Sequence, residues 1–487
     1  MPETSVRKPS VTISAPGGAV SAEGITFIAS VNSAPTVEVL LRRAKGDVVR
    51  PLSKEVVTAM KEIQTSRFQL KDGKPDTTVT ADDGNGGKLE FSGFTVAPVL
   101  EQSTVSSSET VNVVGVDAFL NGLGLSIYHS RSEKVRDEEL EKLFKLTPSR
   151  ATGDIIAIMS EVTNVLVDNL GATLKKAESP SHANVIQKKH EANKAGLDVW
   201  AYLLSQSDVT FPDTWAALFK KFPNLGKAVV ERVKTMLQQK TNSFWDILNG
   251  LGSEFLFFYR PMMDGSTGML VRVDKKLRDD GAKKLDAGVT RFAATDGNPS
   301  MLPLAGVVIY GPALQGLRNE EEPAMINVPV GQFPVTLTPG YFQETQAPAW
   351  LTAGKTGFAP FAPAEVLSPP TPGSGAKEKK NLDPSEYKKG QAELKQAIAD
   401  VARGLSAILQ DLAEVMYKDM KYADSTATLE IPLDFTIEVG VRYNFSTGGE
   451  DGGQFSGFVR ALRHSLQLQG GATLSSGTTL SLTHINY

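Results

Sequence analysis

The sequence predicts a multidomain α+β chain in which antiparallel β-barrel domains carry an α-helical insertion and one long helix with a heptad pattern. Three observations predict it. Strand-like runs separated by turn clusters occupy both ends of the chain, the apolar period becomes helical over a central block, and a further helix spaces its apolar residues alternately by four and three. At 487 residues the length allows roughly three domains with cores of their own.

The elements follow in order. An N-terminal β-barrel region, 1–130, holds short apolar runs at 25–28, 37–41, 88–94 and 111–114, separated by turn clusters such as 82–87. A short helix is expected within it at 56–68. The α-helical insertion, 131–252, opens with Thr147 ahead of Pro148, a capping side chain before a proline at the first helical position, and helices are expected over 155–174, 181–205 and 224–239. Ser243 and Asp246 have capping-box spacing for a fourth, short helix stopped by Asn249 and Gly250. The region 253–346 returns to strands and completes the barrel domains, with a hairpin of 254–260 and 268–273 turning at Asp264 and Gly265, and runs at 305–310 and 335–338. A linker over 347–383 is marked by Pro348, Pro360, Pro363, Pro369, Pro370 and Pro372.

The long amphipathic helix, 384–420, has Asp383 as N-cap and Pro384 at its first position. Leu394, Ile398, Val401, Leu405, Ile408, Leu412 and Val415 make its seam. At ~1.5 Å per residue it would reach on the order of 50 Å. Such a seam fits packing on a sheet of the same chain or self-association, and both readings stand at this point. The C-terminal strands of a barrel, 421–487, end in a hairpin: Phe458, Leu462, Leu466 and Leu468 share one parity, Leu480 and Leu482 another, and Gly470-Gly471 supplies the reversal.

Composition excludes several kinds of protein. There are no cysteines, which rules out disulfides, thiolate metal sites and cysteine nucleophiles. A formal charge of −4 is far from the basic footprint of a nucleic-acid binder. No run approaches the ~20 apolar residues of a membrane span, and the polar N-terminus leads to no apolar stretch of signal-peptide length, so synthesis and folding in a cytoplasm are expected. No phosphate-binding glycine loop with Lys-Ser/Thr, HExxH or Gly-x-Ser-x-Gly motif is present. Among the five histidines, His182 and His190 fall on a polar helix, and His464 and His484 on the terminal hairpin could be neighbours, though no acidic or cysteine ligand completes a metal set. The acidic loop 82–86 lacks the closing glutamate of a helix-flanked calcium loop and fits a hairpin turn. No catalytic, cofactor or metal residue is assigned.

The helix-then-hairpin unit at 243–260, the later strand pair at 429–442, and the closing strands with His464-Ser465 and Thr483-His484 resemble the baseplate hub proteins of tailed bacteriophages and of related contractile injection systems. The resemblance covers parts of 240–275 and 425–487. It implies two tail-tube-like barrel domains per subunit and a homotrimeric ring whose six barrels match a hexameric tail tube on one side and a central spike on the other. The expected partners are the tail tube protein, the spike and the baseplate wedge proteins, and DNA would pass through the lumen without specific binding. It also implies a virion protein of the tail baseplate, assembled in a host cytoplasm, without enzymatic activity and without a cofactor. Arg460, Arg463, His464 and His484 are the expected interface residues, because long polar side chains at strand positions can fix register between subunits. Rival readings are another tail component (tube, distal-tail or wedge protein) and, further off, a virion-associated wall hydrolase.

Overall fold

In the computed structural model of the chain, the described residues are 8–15, 18–42, 75, 77–102, 107–121, 154–175, 180–221, 223–238, 243–276, 282–285, 288–296, 303–311, 330–336, 338–352, 384–423, 425–446 and 453–486. The helix expected at 56–68, the cap at Thr147-Pro148, Asp383 and most of the proline-rich segment lie outside them.

The N-terminal strands are β1 (Ser10–Ala15), β2 (Gly18–Ala22), β3 (Gly24–Ser30), β4 (Thr36–Arg42), β5 (Thr77–Asp82), β6 (Lys88–Gln102) and β7 (Ser107–Val114). A 3-10 turn, Val116–Asn121, follows. Helices α1 (Ile155–Lys175), α2 (Pro180–Gln206), α3 (Asp213–Lys221), α4 (Pro223–Gln238) and α5 (Phe244–Phe255) come next, then the hairpin β8 (Phe257–Arg260) and β9 (Met269–Arg272). The remaining elements are β10 (Lys283–Lys284), β11 (Arg291–Asp296), β12 (Leu304–Tyr310), β13 (Val330–Phe333), β14 (Tyr341–Gln346), α6 (Ala349–Thr352), α7 (Pro384–Ala423), β15 (Ser425–Ile431), β16 (Arg442–Ser446), β17 (Gln454–Gln469) and β18 (Ala472–Asn486). Helices and a mostly antiparallel β framework together make the chain α+β.

The two β regions expected as separate barrels are hydrogen-bonded into one 13-stranded sheet. Their joint is β17 against β3, antiparallel from the Ala461–Ser30 pair to the Gln467–Gly24 pair. Within the sheet one strand arrangement occurs twice. In the first half β3 pairs β4, β4 pairs β7, β7 pairs β6 and β6 pairs β5. In the second half β11 pairs β15, β15 pairs β18, β18 pairs β17 and β17 pairs β16, in the same chain order and all antiparallel. β4 and β15 have seven residues each, and β6 and β17 have 15 and 16.

Each arrangement bends back toward its start. β5 pairs β1, β1 pairs β2, and β2 continues into β3 through Glu23 alone. β16 pairs β10, which precedes β11 in the chain. Among the described residues neither circuit is closed by hydrogen bonds alone. One apolar core fills both, with Phe27, Phe91 and Val113 from the first half and Leu429, Phe445, Leu466 and Leu480 from the second. The parity read in the terminal hairpin holds for Leu462, Leu466, Leu468, Leu480 and Leu482, which are buried in this core, whereas Phe458 lies before a register shift between Val459 and Ala461 and is buried in the core of the helices instead. Gly470 and Gly471, with φ 59 and 80, turn it with the positive dihedrals a two-residue hairpin loop requires.

A second core joins the helices to the small sheet β13-β12-β14. Trp200 stacks on Phe244, and Trp350 lies against Phe255 and Trp215. α7 packs on β12 and β13 of its own chain, so its face belongs to this core. Leu405, Ile408, Leu409, Leu412 and Ala413 are all buried. Spacings of three, four, seven and eight describe a broad globular stripe rather than the two-position seam of a coiled coil. Side chains of the seam before residue 402 lie outside the described ones.

Three local expectations change. α5 begins at the predicted capping box of Ser243 and Asp246, yet passes Gly250 and ends at Leu256, whose φ is 60. One helical glycine costs only ~1 kcal/mol, and burial of Leu251 and Phe255 outweighs it. Residues 254–255, read as strand, are therefore helical. The run expected as a strand at 335–338 is not one in its described residues; the strand there, β13, comes earlier and stops at Phe333, because Pro334 has no N–H for the ladder. α3 was not expected from the sequence, and it buries Trp215 and Phe219.

Candidate functional site

The terminal hairpin β17–β18 is where the two strand arrangements meet, and the four residues expected at an interface lie on it. Arg460 and Arg463 are exposed on β17. His464 and His484 are buried, at 1% and 4% exposure. The hairpin register sets His464 opposite Thr478 and Phe458 opposite Thr483, so the two histidines occupy different parts of the ladder and are not neighbours. Their contacts are internal to the subunit, which leaves the arginines as the surface pair.

His464 faces Phe27 across the β17–β3 joint. Its ring stacks on Phe27 at 5.7 Å and meets the edge of Phe435 at 5.3 Å. Nδ1 lies 2.8 Å from the Thr478 hydroxyl, whose oxygen accepts from the Asp434 N–H at 3.0 Å. Burial pushes the imidazole down to about 4, against a smaller upward pull from Asp434. At neutral pH it is an uncharged filler of the joint.

His484 belongs to a latch between the last strand and the long helix. Its Nε2 donates to Asp419 Oδ1 on α7 at 3.0 Å, and Lys276 Nζ donates to the same oxygen at 3.1 Å. Burial pushes the Asp419 carboxyl up, but the His484 hydrogen bond and the Lys276 charge outweigh it and hold the group below its ordinary value. The Arg442 guanidinium, itself buried, donates to the carbonyls of Lys276 and His484 at 3.1 and 2.8 Å and to the Ser456 hydroxyl at 2.7 Å. One buried guanidinium therefore ties together three segments that are distant in sequence.

The other perturbed acid is Asp117 in the 3-10 turn. Its Oδ2 accepts from the Tyr259 hydroxyl and from the Gly268 N–H at 3.1 Å, while Oδ1 is buried without a partner. Burial raises the carboxyl to about 7, against the two hydrogen bonds. Tyr259 in turn meets the edge of Trp245 at 4.7 Å. Beside this turn an open cleft of about 770 Å³ is lined by Glu90, Ser92, Asp198, Tyr202, Asp264 and Thr267 among others. Among the described residues no group of three or more His, Asp or Glu could hold a metal ion. The acidic loop of Asp82 and Asp83 is a hairpin turn, in which both carboxylates accept loop backbone N–H groups. No described helix is long and apolar enough to cross a membrane.

The sequence pattern marked the hairpin and the parity that buries His464. It carried no sign of Asp419 and Arg442 as partners of His484, or of Lys276 on the same Asp419 oxygen, because each contact joins residues far apart in the chain.

No protein-family model matches the chain, and no curated protein matches it. Solved structures similar to it include a tail protein from Neisseria meningitidis MC58, at 9% identity and TM-score 0.43 over 98% of this chain and 96% of that one. The 43 kDa tail protein of prophage MuSo2 from Shewanella oneidensis matches at 8% identity and TM-score 0.41 over 97% and 98%. A chain of the Francisella PdpA-VgrG complex matches at 7% identity and TM-score 0.34, over 99% of this chain and 59% of that one. Two of these three are tail proteins, and the likeness is loose in each case.

Proposed function

We propose that the chain is a structural component of a phage tail and, more narrowly, a baseplate hub whose homotrimer adapts a hexameric tail tube to a threefold spike. The observation that carries the reading is the strand arrangement repeated within one chain and joined through β17 and β3. A subunit with two equivalent β units presents six of them in a trimer, so threefold and sixfold partners can meet on one ring. The resemblance of 243–260 and of the closing strands to hub proteins points the same way.

In this reading the protein acts by geometry, without catalysis. Its strongly perturbed titratable groups, Asp117, Tyr259 and His464, are buried and committed to packing. The −4 charge suits a lumen that DNA passes without adhering. Tube, spike and wedge proteins are the proposed partners, and the tail baseplate of a virion assembled in a host cytoplasm is the proposed location.

Light scattering of the purified chain followed by negative-stain class averages tests this. A trimeric ring with six lobes and a central hole supports it. A hexamer shifts the assignment to a tube or distal-tail protein, and a single-chain mass up to high micromolar concentration counts against the ring.

A further inference from the structure

The open cleft beside the Asp117 turn brings together groups that the fold itself leaves unused. Among its lining residues Val116 and Val199 are buried, while Glu90, Asp198 and Asp264 are exposed and Tyr202 is 53% exposed. The acidic groups come from three elements: Glu90 from β6, Asp198 from α2 and Asp264 from the turn between β8 and β9. Among the described residues none of the three is in an ion pair.

The backbone holds these groups in place. Asp198 and Tyr202 are four residues apart on α2 and so share one helix face. The Asp264 carbonyl accepts from the Ser92 N–H at 2.8 Å, and its Oδ1 accepts from the Ser266 N–H and hydroxyl at 3.0 and 2.6 Å, which leaves Oδ2 without a hydrogen-bond partner among the described residues. The next carbonyl, of Gly265, accepts from the Val116 N–H at 2.9 Å, so the hairpin turn and the 3-10 turn form one wall. Behind it lies Asp117, whose carboxyl is raised by burial and further by the Asp264 charge, as expected where a negative field is not compensated.

We infer that this cleft docks a segment of a partner protein through a lysine or arginine side chain. Such a side chain lays its methylene stem on apolar surface and keeps its charged head among polar groups. Val116 and Val199 suit the stem, the three carboxylates suit the head, and the exposed Tyr202 ring supplies a cation–π face. A metal ion does not match the lining, since among the described residues no group of three or more His, Asp or Glu could hold one. At about 770 Å³ the cleft lies in the upper part of the ~300–1,000 Å³ range of ligand sites, room for several residues of an extended chain rather than one free cation. All of the lining comes from one chain, so the site stands whether or not subunits form the ring proposed above.

The probe is a fluorescein-labelled pentapeptide that alternates glycine with arginine, followed by anisotropy at low ionic strength, where exposed charges are least screened. The parent chain should bind it saturably and should not bind the same peptide with glutamine in place of arginine. Asp198→Asn and Tyr202→Leu should each weaken binding about threefold, and together about tenfold. Glu344→Gln, the same charge change at an exposed position on β14, should leave binding unchanged. Each variant is first matched to the parent in melting temperature. Absence of saturable binding by the parent, or an equal loss in Glu344→Gln and Asp198→Asn, overturns the site. Arginine amide binding as tightly as the pentapeptide overturns a protein segment as its occupant.

Discussion

Replacing Asp117 by asparagine should convert a pH-sensitive core into an insensitive one. The carboxyl sits at about 7 when folded against 3.8 as the ordinary value. The folded chain therefore holds a proton that the unfolded chain releases between those two pH values, so stability falls as pH rises from about 4 to about 7 and is flat outside that window. Some three units at 1.36 kcal/mol each set a ceiling of about 4 kcal/mol. The source is visible in the structure: Oδ2 has two donors, Oδ1 has none, and the residue is fully buried. Asparagine keeps an acceptor for Tyr259 and Gly268 and cannot ionise. Thermal melts followed by tryptophan fluorescence suit the test, since Trp245 touches Tyr259. Between pH 4.5 and pH 8 the melting temperature of Asp117→Asn should gain on that of the parent by several degrees, up to about 10 °C. Groups that titrate alike in both proteins cancel in this difference. A difference that stays constant across the range would refute the desolvation argument.

Three further outcomes follow from the same contacts. A Cβ on Gly331 would run into the Leu409 carbonyl where β13 lies on α7, and Gln410 clamps that contact by bonding both backbone groups of Gln332. Gly331→Ala should therefore cost about 1–3 kcal/mol, and an unchanged melting temperature would contradict the close packing. His464 is held down to about 4 while its unfolded imidazole titrates at 6.5. Stability is thus lost as pH falls from 6.5 toward 4, by about 3 kcal/mol in total, and urea titrations of His464→Leu should show that acid limb removed. Asp419→Ala strands the Lys276 ammonium and the His484 ring, and should cost about 1–3 kcal/mol. Faster hydrogen exchange in β18 and the end of α7 would be the readout, and unchanged protection there would deny the latch.

Local structure was legible where one residue type or one period decides it. The capping box at Ser243, the Gly470-Gly471 turn, the parity of β17 and the starts of α1, α2 and α4 were readable because each depends on neighbours within a few residues. The end of α5 was not, since Gly250 signals a stop whose small cost is overridden by the tertiary burial of Leu251 and Phe255. Similarly, the apolar spacing of α7 fits a coiled-coil seam and a globular face equally well until Leu409 and Ala413 are seen to be buried too. Of the four expected interface residues, sequence parity alone separates buried His464 from exposed Arg463. The inward fate of His484 depends on Asp419, 65 residues away.

The repeated strand arrangement lay out of sequence reach for a different reason. Its halves share a pairing order rather than a residue pattern, and each pairing order joins strands separated by insertions, 43–76 in the first half and 297–424 in the second. Period-two alternation marks strands but does not say which strand is whose neighbour. Pairing order carries a consequence that composition cannot. A chain holding the arrangement once would need a like partner for both of its open edges. A chain holding it twice satisfies one such contact internally, through β17 and β3.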